Sequence, residues 1–224
     1  MYIVTGCSSG LGYEISKKLV KRGDSVIGIS RNLGKAKSLE NISNFSFISI
    51  DLSVLDELDA LSNVLKTVKD SSIYLVLNAA KFHYEEPGNE CIKTSQKIFN
   101  VNYFGAINLI QKCSLKKLKR VMFINSIAGL EAQNAQAQYS SSKHSLQAYS
   151  EILSKKSVGL NFDVMSINPG GINTELWDGS SIVDKDKVLK FLNPESLSSL
   201  ICYLLDLPEN SYIKSFAILP ENDI

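Results

Sequence analysis

Short apolar runs alternate with longer amphipathic stretches along the chain. The apolar runs are four to seven residues long, which is typical of strands buried in a parallel sheet. The predicted strands cover residues 2–5, 25–30, 45–50, 73–77, 120–125, 162–168 and 215–219. Because helical stretches separate these runs, we predict an α/β fold in which helices cover both faces of one parallel sheet. We predict a single domain over residues 1–224.

The stretches between the strands have the spacing of helices. The first of them places Leu11, Ile15 and Leu19 on one side and charged residues on the other. The predicted helices cover residues 11–22, 33–40, 53–68, 138–155 and 194–205, with one or two more within 91–112. The candidate buried positions of that last segment are Ile98, Val101, Phe104, Ile107 and Leu109.

Composition and charge exclude several classes of protein. The net charge of +1 gives no overall field that would attract nucleic acid or an anionic membrane. The four cysteines, at 7, 91, 113 and 202, are far apart and form no CxxC pair, so we predict neither a metal site nor a disulfide framework. No apolar run approaches the length of about 18 residues that a membrane span needs. We therefore expect a cytoplasmic protein that binds no nucleic acid, no membrane and no metal.

A glycine-rich turn joins the first strand to the first helix. Glycines at 6, 10 and 12 would let the backbone approach a pyrophosphate, and the helix N-terminus would supply free N–H groups. A tight turn without a ligand is the alternative. The candidate phosphate-binding residues are Gly6, Ser8, Ser9, Gly10, Leu11 and Gly12.

Polar or small residues follow three further strands. Arg31 follows the second strand, where an acidic residue would bind a free ribose 2′-hydroxyl and an arginine can receive a 2′-phosphate, so NADP(H) is favoured and NAD(H) stays possible. Asp51, followed by Leu52, could accept from an adenine amino group or cap the next helix. Small residues after the fourth strand would let the backbone approach a cofactor, although Asn78 could simply hold the turn. These residues are Asn78, Ala79 and Ala80.

Tyr139 and Lys143 are four residues apart on a predicted helix, so they lie one turn apart on one face. A cation near the phenol favours phenolate, so we expect Lys143 to lower the pKa of Tyr139. A tyrosine tuned in this way can pass a proton to or from a carbonyl oxygen. Ser126 follows the fifth strand and lies at the same end of the predicted sheet, where its hydroxyl could donate to that oxygen.

These motifs, in this order and with Tyr139 thirteen positions after Ser126, resemble the short-chain dehydrogenase/reductase family. The resemblance covers nearly the whole chain and implies a Rossmann-like, doubly wound sheet. It implies a catalytic tetrad of Asn102, Ser126, Tyr139 and Lys143, in which Asn102 holds a water and Lys143 also binds the nicotinamide ribose. The cofactor-binding residues that it adds are Pro169, Gly170, Ile172 and Thr174, with Thr174 at the carboxamide of the nicotinamide.

The chain departs from the family pattern at two places. Lys81 stands where relatives usually have glycine, which puts the path of the local loop in doubt. The end after Leu219 lacks the usual glycine-rich tail, so we expect a homodimer, formed through helices near 102–112 and 139–155, rather than a tetramer.

The sequence therefore predicts an NADP(H)-dependent oxidoreductase that acts on a small carbonyl or secondary alcohol. A non-catalytic dinucleotide sensor on the same fold is the alternative, although a sensor has no need of Ser126, Tyr139 and Lys143 in register. A nucleotide-sugar epimerase or dehydratase would need a C-terminal substrate domain, for which this chain has no room. The substrate itself is not predicted. Candidate pocket residues are His83, Tyr84, Glu131, Gln133 and Trp177.

Overall fold

The computed structural model describes residues 1–59, 61, 65, 72–178, 183–208, 211 and 213–221. Within these residues, seven strands form one sheet, and every neighbouring pair is parallel. The strands are β1 (Tyr2–Thr5), β2 (Val26–Ser30), β3 (Phe45–Ser49), β4 (Ile73–Leu77), β5 (Leu118–Ile124), β6 (Asp163–Pro169) and β7 (Ser215–Ile218). Their order, β3-β2-β1-β4-β5-β6-β7, is that of a doubly wound Rossmann-like sheet and confirms the predicted fold class.

Six α-helices connect these strands within the described residues. They are α1 (Gly10–Lys21), α2 (Ile92–Phe99), α3 (Gly105–Lys112), α4 (Ala137–Ser157), α5 (Lys185–Val188) and α6 (Pro194–Leu205). Among them, none is both long and apolar enough to cross a bilayer. The helix predicted over 33–40 is a 3₁₀ turn at Gly34–Leu39. Of the helix predicted over 53–68, positions 60, 62–64 and 66–68 lie outside the described residues.

The sheet is buried on both faces because successive side chains of each strand point to opposite sides. Ile3 belongs to the apolar cluster that also contains Leu109 of α3 and Leu146 of α4. Its neighbour Val4 belongs to the cluster on the other face, together with Ile15 of α1. This alternation confirms that helices cover both faces of the sheet.

One predicted core residue of the 91–112 segment is on the surface. Phe104 is 45% exposed, whereas Ile98 and Leu109 are fully buried. The difference arises because residues Asn100–Phe104 form a π-helical turn between α2 and α3. The wider turn shifts the helical phase, so a prediction that assumes 3.6 residues per turn places Phe104 on the wrong face.

A buried arginine connects β5 to the end of α6. Arg120 is 3% exposed and donates from Nη2 to Asp163 Oδ2 at 2.6 Å. Its Nη1 donates to the carbonyl oxygens of Leu204 and Leu205 at 2.9 and 2.8 Å. Nη2 also donates to the carbonyl of Leu207 at 3.0 Å. The guanidinium thus satisfies carbonyl groups that the helix end leaves without partners.

Candidate active site

A cavity of about 1130 Å³ opens at the carboxyl ends of the strands. In parallel α/β sheets this is the edge at which ligands bind. The predicted site residues that line it are Gly6, Ser8, Ser9, Gly10, Leu11, Arg31, Asp51, Leu52, Asn78, Ala79, Ala80, Ser126, Tyr139, Lys143, Pro169, Gly170, Ile172 and Thr174. Two predicted residues, Gly12 and Asn102, are not part of the lining and lie behind it.

The glycine-rich turn has the shape of a phosphate cradle. Gly6 and Gly10 adopt φ values of 70° and 51°, which side chains other than glycine rarely adopt. A Cβ atom on Gly12 would lie 2.3 Å from the carbonyl oxygen of Gly6, so only glycine allows α1 to start this close to the turn. The backbone of the turn can therefore come close to a ligand bound in the cavity.

Asn78 holds this turn as well as lining the cavity. Its Nδ2 donates to the carbonyl oxygen of Thr5 at 2.9 Å. In return, Thr5 Oγ1 accepts from the backbone N–H of Asn78 at 2.9 Å and from that of Ala79 at 3.0 Å. These bonds join the end of β4 to the end of β1 at the point where the glycine turn begins.

A carboxylate that the sequence analysis did not identify occupies the N-terminus of α1. Glu175 Oε2 accepts from the backbone N–H of Gly10 at 3.1 Å, and Glu175 also forms an ion pair with Lys35. The backbone N–H of Lys35 in turn donates to the Ser8 carbonyl at 2.7 Å. Burial raises the pKa of Glu175, but the hydrogen bonds from Lys35 and from backbone N–H groups outweigh it and leave the pKa below its usual value. The cradle therefore already attracts an anion.

Arg31 and Asp51 lie at neighbouring strand ends. Arg31 is exposed at the mouth of the cavity. Asp51 Oδ1 accepts from the backbone N–H of Ser53 at 2.9 Å and from its hydroxyl at 2.7 Å, as a capping carboxylate does. Burial raises the pKa of Asp51, but these two bonds and the charge of Arg31 outweigh it, so the pKa is lowered. Of the two roles expected for Asp51, the geometry shows the capping contact.

Tyr139 and Lys143 lie on α4 and face the cavity. Tyr139 is 8% exposed and Lys143 is 1% exposed. The Lys143 ammonium nitrogen lies 5.8 Å from the centre of the Tyr139 ring and donates to the carbonyl oxygen of Ile124 at 3.1 Å. The spacing in the sequence thus places the phenol and the amine side by side, at the end of β5.

The sequence predicts a lowered pKa for Tyr139, and this prediction is wrong: in the structure the pKa is raised. Burial raises the pKa of Tyr139 to about 12, against a smaller lowering by a hydrogen bond from Ser126. Burial also lowers the pKa of Lys143 to about 7, so this amine is only partly charged near neutral pH. The expected attraction between ammonium and phenolate is therefore weaker than the loss of hydration that both groups suffer.

Ser126 is positioned by a turn that leaves its proton available. Its Oγ accepts from the backbone N–H of Ala128 at 3.1 Å and so caps the 3₁₀ turn Ile127–Gly129. Because the oxygen accepts from the backbone, the hydroxyl proton can point to the Tyr139 phenol, with which Ser126 is hydrogen-bonded. Ser126 and Tyr139 thus present two hydroxyl groups at one point of the cavity.

Asn102 connects the π-helical turn to the loop after β4. Its Oδ1 accepts from the backbone N–H of Lys81 at 2.7 Å, and its Nδ2 donates to the Lys81 carbonyl at 3.0 Å. Nδ2 also donates to Ser142 Oγ at 3.0 Å. Lys81 does not adopt a positive φ, so a lysine fits where relatives usually have glycine.

Aromatic side chains line the other side of the cavity. Of the predicted pocket residues, Tyr84, Glu131, Gln133 and Trp177 belong to the lining, whereas His83 is exposed and does not. Phe82 and Phe191, which were not among the predicted pocket residues, also line the cavity. The alternation of Phe82, His83 and Tyr84 in an extended segment is the signal that could have identified Phe82.

Comparison with known protein families gives one clear match. The family model for short chain dehydrogenases matches residues 1–182. An uncharacterized oxidoreductase of Staphylococcus epidermidis is 25% identical over 227 aligned positions, which cover 97% of this chain and 96% of the relative. The NADPH-dependent 3-dehydrocapnine reductase of Ornithobacterium rhinotracheale is 31% identical over 189 positions, which cover 78% of this chain and 66% of the relative.

Solved structures share the fold over nearly the whole chain. A 4-hydroxyisoleucine dehydrogenase mutant complexed with NADH and succinate has a TM-score of 0.87 at 23% identity and covers 98% of this chain and 96% of its own. The closed form of a serine dehydrogenase complexed with NADP⁺ has a TM-score of 0.85 at 20% identity and covers 97% and 93%. At these identities the two structures establish the fold alone.

Proposed function

The chain belongs to the short-chain dehydrogenase family, and from this premise we propose that it is an NADP(H)-dependent oxidoreductase that interconverts a carbonyl compound and a secondary alcohol. One observation carries the proposal. The hydrogen-bonded hydroxyls of Ser126 and Tyr139, with Lys143 beside them, face the same cavity as the glycine turn. A sensor that only bound a dinucleotide would not need this group of residues.

The residues of the cavity fit a dinucleotide. The positive φ of Gly6 and Gly10 and the absence of a side chain at Gly12 leave room for a pyrophosphate at the start of α1. The nicotinamide end would lie between the Tyr139 hydroxyl and the segment that runs from Pro169 to Thr174. When bound, the nicotinamide supplies or accepts the hydride, which carries both electrons of the reaction.

We infer a preference for NADP(H) from the end of β2. Arg31 is exposed there, directly after the strand, and has the charge and the planar donors that a 2′-phosphate requires. An acidic residue that would bind a free 2′-hydroxyl does not occupy this position. The relative from O. rhinotracheale is described as NADPH-dependent, which supports the same choice.

The protein's own groups would move the proton. In the reducing direction, the carbonyl carbon gains a hydride and the carbonyl oxygen gains a proton, so that a C=O bond becomes CH–OH. Ser126 would donate a hydrogen bond to the oxygen as negative charge grows on it. Tyr139 would then give its proton to that oxygen. Lys143, with a pKa near 7, can return a proton to Tyr139, and Asn102 would hold a water on the route to solvent.

The exposed apolar side chains of α2 to α4 support the homodimer expected from the sequence. Ile92 is 67% exposed, Phe104 is 45% exposed and Ile152 is 64% exposed. Exposed apolar side chains of this size are common where copies of a chain associate. We propose that these residues contribute to a two-fold interface, which sedimentation of the variant Ile152→Glu would test by showing monomers.

The variant Tyr139→Phe tests the catalytic proposal. It removes only the hydroxyl, so turnover of a carbonyl panel with NADPH should fall by about 10²-fold to 10⁴-fold while NADPH binding, measured by calorimetry, stays unchanged. Tyr203→Phe, at a phenol that is 66% exposed on α6, is the matched control and should leave turnover unchanged. Equal turnover in Tyr139→Phe would refute the role of the phenol. Binding of NADPH by the unaltered protein without turnover of any compound would support the sensor.

A pair of charge removals tests the cofactor preference. Arg31→Ala should lower kcat/KM for NADPH by at least about tenfold and leave that for NADH nearly constant, since an arginine–phosphate contact is a charge-assisted bond of roughly 1.5–3 kcal/mol. Lys37→Ala removes the same charge from an exposed position that does not line the cavity. If both variants reduce the preference equally, the general charge of this surface, and not a contact by Arg31, is responsible.

A further inference from the structure

Four aromatic side chains form a continuous surface beside Tyr139, which we call the aromatic wall: Phe82, Tyr84, Trp177 and Phe191. The centre of the Phe82 ring lies 4.9 Å from that of Tyr139, with the rings nearly perpendicular at 77°. From Phe82 the wall continues to Tyr84 at 4.6 Å and to Trp177 at 5.1 Å, and from Trp177 to Phe191 at 5.2 Å. All four side chains are half-buried, so each still offers ring surface to the cavity.

Each ring is held by contacts outside the cavity. Glu85, which follows Tyr84, pairs with Gln136 in a parallel bridge and so anchors the end of the segment that carries Phe82 and Tyr84. The indole N–H of Trp177 donates to the carbonyl oxygen of Ile172 at 2.7 Å and is thereby satisfied. Contacts to the backbone of two separate segments therefore hold this part of the wall.

Phe191 is fixed in a similar way. Its ring packs against Gly171, where an added Cβ atom would lie 2.7 Å from the ring carbons. Leu192, the next residue, pairs with Ile172 in a second isolated bridge. The close fit at Gly171 holds the Phe191 ring against Trp177 and extends the wall toward the entrance.

The charged residues around the wall do not favour an anionic substrate. Among the described residues, the exposed charged side chains that line the cavity, apart from Arg31, are Lys97, Glu131, Asp178 and Lys187. Lys81 also lines the cavity, but it is close enough to Asp51 to lower the pKa of that carboxyl and so lies toward the dinucleotide side. The two negative and two positive charges balance, so these side chains give no net positive charge that would select a carboxylate or phosphate.

We propose that the substrate carries an uncharged aromatic group a few bonds from its carbonyl, and that this group packs on the aromatic wall while the carbonyl meets Ser126 and Tyr139. The inference rests on the proposed function and names the substrate class of that same site. Aromatic rings gain from edge-to-face contact beyond the area that they bury, by an amount equivalent to about threefold to tenfold in affinity. A saturated ring of the same size gains affinity only from the apolar surface that it buries.

Two ketones that differ only in whether their six-membered ring is aromatic or saturated provide the test. We expect kcat/KM with NADPH to be about threefold to tenfold higher for 4-phenyl-2-butanone than for 4-cyclohexyl-2-butanone. The charged analogue 4-(3-oxobutyl)benzoate should be the poorest of the three. Phe82→Leu and Phe191→Leu should each reduce the phenyl preference, and Phe191→Leu does so without removing a ring that touches Tyr139. Tyr203→Leu, at an exposed ring outside the cavity, is the matched control and should keep the phenyl preference.

Binding provides a readout that does not require turnover. Trp177 is the only tryptophan of the chain and lies in the wall, so its fluorescence reports a ligand there. With NADP⁺ present, 4-phenyl-2-butanone should quench it at lower concentration than the cyclohexyl ketone does. Selective quenching without turnover would uphold the substrate class and refute the proposed function. Turnover of both ketones with equal or better use of the cyclohexyl compound, or no effect of either compound on Trp177, would overturn the substrate class.

Discussion

The variant Lys143→Met should make the protein more stable, although it removes a residue proposed to act in catalysis. Lys143 is 1% exposed, and the burial that lowers its pKa to about 7 has no described carboxylate to offset it. The difference from the ordinary value of 10.5 corresponds to roughly 5 kcal/mol of destabilisation when the lysine is charged, at about 1.4 kcal/mol for each pH unit. Methionine has a similar length and carries no charge.

The net gain should be smaller than this electrostatic term. The variant also loses the hydrogen bond from Lys143 Nζ to the Ile124 carbonyl, which costs about 1–3 kcal/mol because the buried oxygen is left without that partner. We therefore expect Lys143→Met to be more stable by about 2–4 kcal/mol at pH 6. Urea unfolding followed by circular dichroism measures this difference directly.

The pH dependence of the gain is the sharper test. Between pH 7 and 10.5 the unfolded chain binds more protons at Lys143 than the native protein does, so the unaltered protein gains stability as the pH rises through this window. The advantage of the variant should thus shrink from pH 6 to pH 9.5. Lys156→Met, at an exposed lysine of the same helix, should show no such trend. A difference that is absent at pH 6, or that stays constant with pH, would refute a buried and partly neutral Lys143.

Three further predictions follow from single contacts. Arg120→Leu should lower the free energy of unfolding by about 3–5 kcal/mol in urea titrations, because it leaves a carboxylate and helix-end carbonyls without their buried partner. Gly12→Ala should abolish NADP⁺ binding in calorimetry, since its Cβ would lie 2.3 Å from the Gly6 carbonyl; unchanged binding would show that the turn can move. Glu175→Gln should bind NADP⁺ about twofold to fivefold more tightly, because the carboxylate on the Gly10 N–H competes with a phosphate for the start of α1; weaker binding would mean that Glu175 helps to hold the cofactor.

The sheet could be predicted from the sequence because its strands are buried on both faces. All four residues of β1 and all five of β2 are buried. Continuous apolar runs of this length are typical of strands that are covered on both faces, so the pattern predicts the strands directly. The glycine turn could be predicted in the same way. Gly6, Gly10 and Gly12 are required by backbone conformation and close contacts within a single strand–turn–helix unit. Local patterns of this kind need no knowledge of distant parts of the chain.

The residues that sequence reasoning missed depend on distant contacts or on departures from regular geometry. Glu175 meets Gly10 across 165 positions of sequence, and no periodicity relates the two. The aromatic wall likewise joins segments near 82 and 177 that only the fold brings together. The exposure of Phe104 follows from a π-helical turn, in which the repeat differs from that of the α-helix on which the prediction relied.

The pKa values of Tyr139 and Lys143 show that the proximity of two groups does not by itself determine their protonation. Their spacing correctly places them together, yet the sign of the Tyr139 pKa shift is set by how deeply the sheet and the Phe82 ring bury the phenol. With a pKa of about 12, Tyr139 keeps its proton at neutral pH, whereas Lys143, with a pKa of about 7, is only partly protonated there. In the proposed reduction a protonated phenol would serve as the acid, and the hydrogen bond from Ser126 would stabilise the phenolate left after the proton is transferred. If the proposed reduction holds, burial favours it by keeping the proton on Tyr139, whereas attraction between two charges would have removed that proton.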